Sequence, residues 1–335
     1  ASGSFSDLQD LENAVLNLNL SGNDLGRLLG LFGIQRLQGE PFAVDLDAER
    51  QGPTFVVRKS RLRIADAELE AEARLPRFPS LDDSNIRATI KGKNFERFRG
   101  ALGIPGASTG AYSLAFDLNL DPAGVEIVKL DLLSELVRAT IHGQLGEAAA
   151  FAGSQFQFEV EAVSIATVGK AFGMPPMLDR PATVSGAIEM GEDSIRTRGP
   201  VSVSSLDIEG SVDGRIVLAP GIRGSDFTVE LGGPDLAELV REFATVEGIP
   251  AQPYDVAGGL RFDGENLRFS DVLGEVGSSS VRADGEVRID QGFAGLRVDF
   301  DLAGPALEDL VADLGAIELQ PGPYELSSDC LLYTS

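Results

Sequence analysis

Tryptophan is absent from the 335 residues, and aromatic residues of all kinds make up 7% of the chain. Stacking of sugars or bases needs aromatic platforms, so such binding is disfavoured. A single cysteine, Cys330, supports neither a disulfide framework nor a thiolate metal cluster. The one histidine, His142, lies in an alternating segment and reads as structural or solvent-facing. Cations are scarce: 28 Lys and Arg stand against 52 Asp and Glu, for a net charge of −24. Phosphate neutralisation needs the opposite excess, which argues against nucleic acid and against docking on an anionic membrane through a basic patch. The acidic balance reads instead as the charge that keeps an apolar β-surface soluble. No run approaches the roughly 18 apolar residues of a membrane helix, and no signal-peptide pattern opens the chain.

Catalytic patterns are missing as well. There is no nucleophile elbow, P-loop or dinucleotide fingerprint. Asp299-x-Asp301 ahead of Gly304 starts like a calcium loop, but Leu310 stands where the bidentate acid belongs. Asp82, Asp83 and Glu40 read as solvated loop charges. A glycosidase needs two convergent carboxylates, and a chain this acidic nominates no particular pair. The reading is a protein with no catalytic residues, no metal and no cofactor.

What the sequence does have is a repeat. Its clearest copy runs from Phe227-Thr228-Val229-Glu230-Leu231, a period-2 strand, into Gly233-Pro234-Asp235 and then Leu236, Leu239 and Phe243. That last spacing places one apolar stripe on a short helix capped by Asp235. The helix-opening position recurs at Gly22, Gly92, Ala162, Gly233 and Gly304, at intervals of 70, 70, 71 and 71 residues. Stripes follow at Leu25/Leu28/Phe32, Phe95/Phe98/Leu102, Ile165/Val168/Phe172 and Leu307/Leu310/Leu314, each closed by a glycine. Five copies in phase predict one array of stacked units, not separate globular domains.

Each unit reads as four strands and one helix, with short turns that make the sheet antiparallel. Repeat 1 spans 15–85, repeat 2 86–155, repeat 3 156–226 and repeat 4 227–295, with a truncated repeat 5 at 296–328. Residues 1–14 finish a preceding unit. Residues 329–335 break the pattern and read as a tail not native to the protein, so the chain is taken as an internal fragment. Within repeat 3, Val201–Gly210 is expected to be one strand and Gly214–Ala219 an extra segment. The fold class is mainly β: an elongated repeat array of antiparallel strands forming a twisted open groove, with one short helix per repeat.

Such strands are apolar on one face and polar on the other, as in Phe156/Phe158/Val160 against Gln157/Glu159/Glu161. One short helix per four strands covers only part of an apolar face. Either the sheet curls on itself into a closed core, or its face stays open for something greasy. On the open reading, the lipid-binding lining is Leu16, Leu18, Leu20, Phe116, Leu118, Leu120, Phe156, Phe158, Val160, Phe227, Val229, Leu231, Val298, Phe300 and Leu302. The helix stripes are then local core. The closed reading gives a structural or scaffolding protein that binds partners through its acidic exterior. A solenoid enzyme on polysaccharide is the weakest reading.

Leu231-Gly232-Gly233-Pro234-Asp235-Leu236, Gly248-Ile249-Pro250, Pro253-Tyr254-Asp255-Val256 and the glycine-bearing strand Val281–Ile289 together resemble the AsmA-like family of Gram-negative envelope proteins, which includes TamB and YhdP relatives. The resemblance runs from about Val15 to Leu326 and rests on glycines, prolines and alternation. It implies a periplasmic protein, anchored in the inner membrane by an N-terminal helix that this chain lacks and associated with outer-membrane biogenesis. Because the family looks related to bridge-like lipid transfer proteins, it also implies a β-groove that carries phospholipid acyl chains, with outer-membrane or periplasmic proteins as further partners.

Overall fold

A computed structural model describes residues 14–23, 41–64, 66–94, 110–146, 151–167, 179–218, 222–243, 251–264, 266–288, 296–306 and 322–332, with 240–243 and 329–332 described in backbone alone. The chain divides into two compact units, Ala1–Val163 with Thr167–Gly173 and Ser164–Ala166 with Met174–Ser335. Mainly β, it carries nineteen strands among the described residues.

The first unit holds β1 (Val15–Gly22), β2 (Phe42–Gln51), β3 (Thr54–Ile64), β4 (Ala67–Leu75), β5 (Ser84–Gly92), β6 (Tyr112–Asp121), β7 (Gly124–Ser134), β8 (Val137–Leu145) and β9 (Gln155–Ala162). Each strand pairs antiparallel with its sequence neighbours. β1 and β9 do not pair with each other, so this sheet is open and not a barrel. The second unit holds β10 (Ala182–Met190), β11 (Ser194–Thr197), β12 (Val201–Ser205), β13 (Ile208–Val217), β14 (Asp226–Gly233), β15 (Tyr254–Phe262), β16 (Asn266–Val276), β17 (Ser279–Arg288), β18 (Leu296–Gly304) and β19 (Tyr324–Leu332). Within it, too, successive strands from β13 to β19 pair antiparallel. Residues 329–332, read from the sequence as the start of a tail not native to the protein, pair with β18 as far as Leu332 opposite Leu296.

The third repeat corrects the sequence reading. Val201–Gly210 is not one strand but a hairpin, β12 and β13, turning at Leu206-Asp207 with Leu206 at φ 52°. Leu206 gives no turn signal, because a left-handed leucine is stabilised only by its context. The supposed extra segment is the second half of β13. Equally, β11 and β12 are one interrupted strand, separated by Arg198-Gly199-Pro200 with Gly199 at φ 96°. The break has a counterpart in other repeats, where β3 bulges at Arg58-Lys59 and β7 at Val128-Lys129. A bulge bends a strand and increases its twist; in β11/β12 the missing proline N–H turns it into a gap.

Two further periodic devices hold the units in register. The repeat glycine ending one strand lies beneath the aromatic residue opening the next: a Cβ on Gly22 would stand 2.7 Å from the Phe42 ring, one on Gly92 2.4 Å from Tyr112 and one on Gly233 2.8 Å from Tyr254. In the third repeat Ala162 takes the glycine position and Ala182 the aromatic one, so glycine and ring are lost together. The second device is a buried serine at the entry to the strand that opens the next repeat, at Ser84, Ser154 and Ser225. Asp83, Gly153 and Gly224 precede them at φ 58°, 78° and 86°. Ser154 Oγ accepts from the Gly146 N–H and Ser225 Oγ from the Val217 N–H, each at 2.8 Å.

The rings differ in one respect that a substitution can test. Tyr324 donates its hydroxyl proton to Ser279 Oγ at 2.7 Å, Ser279 being the first residue of β17. Ile208 is the first residue of β13, and the Tyr254 hydroxyl accordingly has no hydrogen-bond partner among the described residues although Tyr254 is only 4% exposed. Burial raises its pKa, partly opposed by Arg180. Leaving a buried hydroxyl unpaired costs about 1–3 kcal/mol. Tyr254→Phe is therefore expected to be neutral or stabilising by up to about 1 kcal/mol, whereas Tyr324→Phe costs about 1 kcal/mol. Paired denaturant melts measure both; equal losses would refute the assignment.

Helix α1 (Leu236–Phe243) follows β14 as the stripe predicts. Asp235 caps it, its Oδ1 accepting from the Glu238 N–H at 3.1 Å. Glu238 in the first turn receives Arg180 Nη2 at 2.9 Å. Ala237 is the buried member at 5% exposure, while Leu236 and Leu239 are half-buried. Residues 165–167 are also helical. The helices expected after Gly22, Gly92 and Gly304, and the rest of the one after Ala162, lie outside the described residues.

Candidate functional site

Antiparallel register converts the alternation of single strands into continuous rows across the sheet. In the first unit, a row starting at Leu18 passes through Leu46, Ser60, Ala71, Ala88, Phe116, Leu130 and Ile141 to Phe158. All nine strands contribute, and Ser60 is the single polar member. On one side lies the row from Leu16 by way of Ala48 and Leu118 to Phe156, and on the other the row from Leu20 by way of Leu69 and Leu114 to Val160. Leu120, opposite Ser84 and Val125, falls just outside the three rows.

In the second unit Phe227 and Val298 share a row through Leu260 and Phe269, and Leu231 and Leu302 share one through Val256 and Val281. Val229 pairs with Gly258, and Phe300 with Ala283, in the row between them. Every lining residue expected from the sequence therefore lies on one face of its own sheet. The residues chosen from the sequence lie on β1, β6, β9, β14 and β18 and leave out Leu46, Ala71, Leu130 and Ile141, which carry the same alternation. Its omission of the row glycines has a different cause: Gly143, Gly214 and Gly285 contribute no side chain, and only register shows them beside Phe156, Phe227 and Val298.

These rows are neither core nor ordinary surface. The large members are half-buried, and only Ala48, Ala88, Ala139 and Ile127 are buried, low among their neighbours. Extensive contacts among the described elements are all between sheet neighbours, so no second layer packs on this face there. Rows two residues apart lie about 7 Å apart along a strand, and neighbouring strands about 4.8 Å apart. Three rows over nine strands thus form an apolar strip about 14 Å wide and about 38 Å long. At about 530 Å², that is at the upper end of the roughly 300–600 Å² reached by the largest apolar patch on a soluble monomer, which is often functional. Covering about 500 Å² of it is worth about 12 kcal/mol at about 25 cal/mol per Å².

Electrostatics keeps the other face separate. It carries a lattice of pairs, among them Arg61 with Glu70 at 2.7 Å and Arg87 with Asp117 at 2.8 Å. Arg61 holds the Glu70 carboxyl below its usual range. At Asp117 burial pushes upward, but the bonds from Arg87 and Asn85 prevail and its pKa is lowered. Being exposed, such pairs contribute little stability each. Their effect is to define which face stays wet. A cavity of 450 Å³ over this side is lined by Lys59, Glu70, Arg87, Asp117, Lys129 and Asp131. His142 is exposed on the same face opposite Gln157, with Nδ1 against the Val128 carbonyl. Asp299 and Asp301 lie along β18, opposite Asp284 and Arg282, and not in a loop.

The apolar strip offers continuous contact without directional partners, which suits a hydrocarbon chain and provides nothing to activate a nucleophile or hold a charge. No protein-family model, no curated protein and no solved structure matches the chain.

Proposed function

We propose that the chain is a non-enzymatic envelope protein of the AsmA-like kind, whose apolar strips form a groove that carries phospholipid acyl chains between the inner and outer membranes of a Gram-negative cell. It works from the periplasm, anchored in the inner membrane through a segment beyond this chain, and serves outer-membrane biogenesis. The observation that supports this reading is the unbroken run of apolar residues across all nine strands of the first unit, on a face without a second layer among the described residues. Because the rows run perpendicular to the strands, a chain lying along a row crosses one strand after another and meets no polar group larger than the Ser60 hydroxyl. Sliding then exchanges one apolar contact for an equivalent one.

The test is lipid extraction and mass spectrometry of protein purified without detergent from a Gram-negative host. Phospholipid retained at about one or more molecules per chain is the expected result, since a strip worth about 12 kcal/mol of burial seldom stays bare in water. Protein that is folded and lipid-free would instead favour the scaffolding reading.

A further inference from the structure

The polar face of the second unit contains a row that the acidic composition does not lead one to expect. Across β11, β13, β14, β15 and β16, five successive opposite positions are Arg196, Arg215, Asp226, Arg261 and Arg268. Four arginines in five places occur in a chain with a net charge of −24. Arg196 faces Arg215 directly and Arg261 faces Arg268, and like charges directly opposite destabilise a ladder. Asp226 pairs with Arg215 at 3.7 Å, and Arg268 with Asp263 and Glu286 at 3.5 and 3.4 Å. Arg196 and Arg261 have no ion pair among the described residues.

The two arginines without an ion pair and Arg215 border one cavity of 610 Å³, whose rim also includes Asp213, Asp226, Thr228 and Ser270. Gly259 lies between Thr228 and Ser270 in the register and leaves its floor without a side chain. Asp213 is held aside by the Thr197 hydroxyl, which donates to its Oδ1.

We infer that this cavity is a binding site for a phosphate-bearing anion. Each guanidinium is a planar fork of donors that matches carboxylate or phosphate geometry. One fork saturates the two oxygens of a carboxylate, so arginines on three strands, β11, β13 and β15, around one cavity call for the additional acceptor oxygens of a phosphate or diphosphate. The Thr228 and Ser270 hydroxyls supply neutral donors between them. The site opens on the face opposite the apolar rows, with the sheet in between. Its ligand is therefore not the headgroup of a lipid whose chains lie on those rows, and the assignment stands whether or not the chain carries lipid.

Titration of the full chain with inorganic pyrophosphate by calorimetry tests this, alongside flotation with phosphatidylcholine vesicles with or without phosphatidylglycerol. Saturable pyrophosphate binding that weakens at least tenfold in Arg196→Gln and in Arg261→Gln is the expected result, with Arg138→Gln, on the first unit, as the unaffected control. Binding to phosphatidylglycerol vesicles with the same arginine dependence would place the phosphate on a lipid headgroup, and pyrophosphate binding alone would place it on a soluble ligand. The inference is overturned if neither probe binds saturably, or if both arginine variants bind as well as the parent. Circular dichroism melts of the variants confirm that these exposed positions leave the fold intact.

Discussion

Phe158→Asp is expected to abolish lipid retention while the protein remains folded. Phe158 ends the central apolar row of the first unit, opposite Ile141, and is half-buried. An acyl chain sliding past a carboxylate must either strip its water or leave contact with the strip. Desolvating an isolated charge costs several kcal/mol or more, so one such residue is a barrier where Phe158→Ala, which only thins the contact, is not. The carboxylate itself keeps access to solvent, so the folded state loses only about 1–2 kcal/mol through packing and strand preference. Ile127→Asp is the contrasting variant. Ile127 belongs to the adjacent row but is 7% exposed, and burying a charge there costs more than about 4 kcal/mol. Retained phospholipid and the thermal midpoint, measured together, separate the cases: Phe158→Asp loses lipid at least tenfold with a midpoint shift of a few degrees, while Ile127→Asp unfolds. Should Phe158→Asp unfold the protein as badly as Ile127→Asp, residue 158 is closed core and the conduit loses its support. Leu239→Asp, at a stripe position of α1, is a less decisive comparison because Leu239 is itself half-buried.

The largest expected loss of stability falls on a residue without a side chain. Gly143 in β8 has φ 151°, and a Cβ there would stand 2.0 Å from the Gln155 carbonyl oxygen in β9. Gly214 in β13 is in the same situation, at φ 158° and 2.2 Å from the Asp226 carbonyl. Backbone cannot swing aside as a flexible side chain can, so any larger residue must break the pairing of the two strands. Gly143→Val is expected to destabilise the first unit by about 4 kcal/mol or more, with loss of amide protection across β8 and β9 in hydrogen exchange. Gly153→Ala separates clash from strain. Its φ is 78° with nothing within 4 Å of the added Cβ, so it costs only about 1 kcal/mol. Equal losses from the two variants would show that backbone conformation alone, and not the approach of β9, makes Gly143 necessary.

The sequence by itself determined the period, the strands and their faces. Alternation is a local property, so the strand read at Phe227–Leu231 falls within β14 and the alternation of Phe156, Phe158 and Val160 within β9. The cap at Asp235 was equally legible, because a cap acts within three residues of itself. Only the tertiary structure decided what depends on two strands at once. Register turned separate Leu, Phe and Val positions into rows, and it brought Arg196 and Arg215, or Arg261 and Arg268, face to face. The left-handed Leu206 escaped the sequence reading because neighbouring strands, not residue preference, stabilise it. The period-70 glycines were visible from the start, but why they are glycines was not. The reason lies about 20 residues further along the chain, in the aromatic ring that occupies the space a side chain would need.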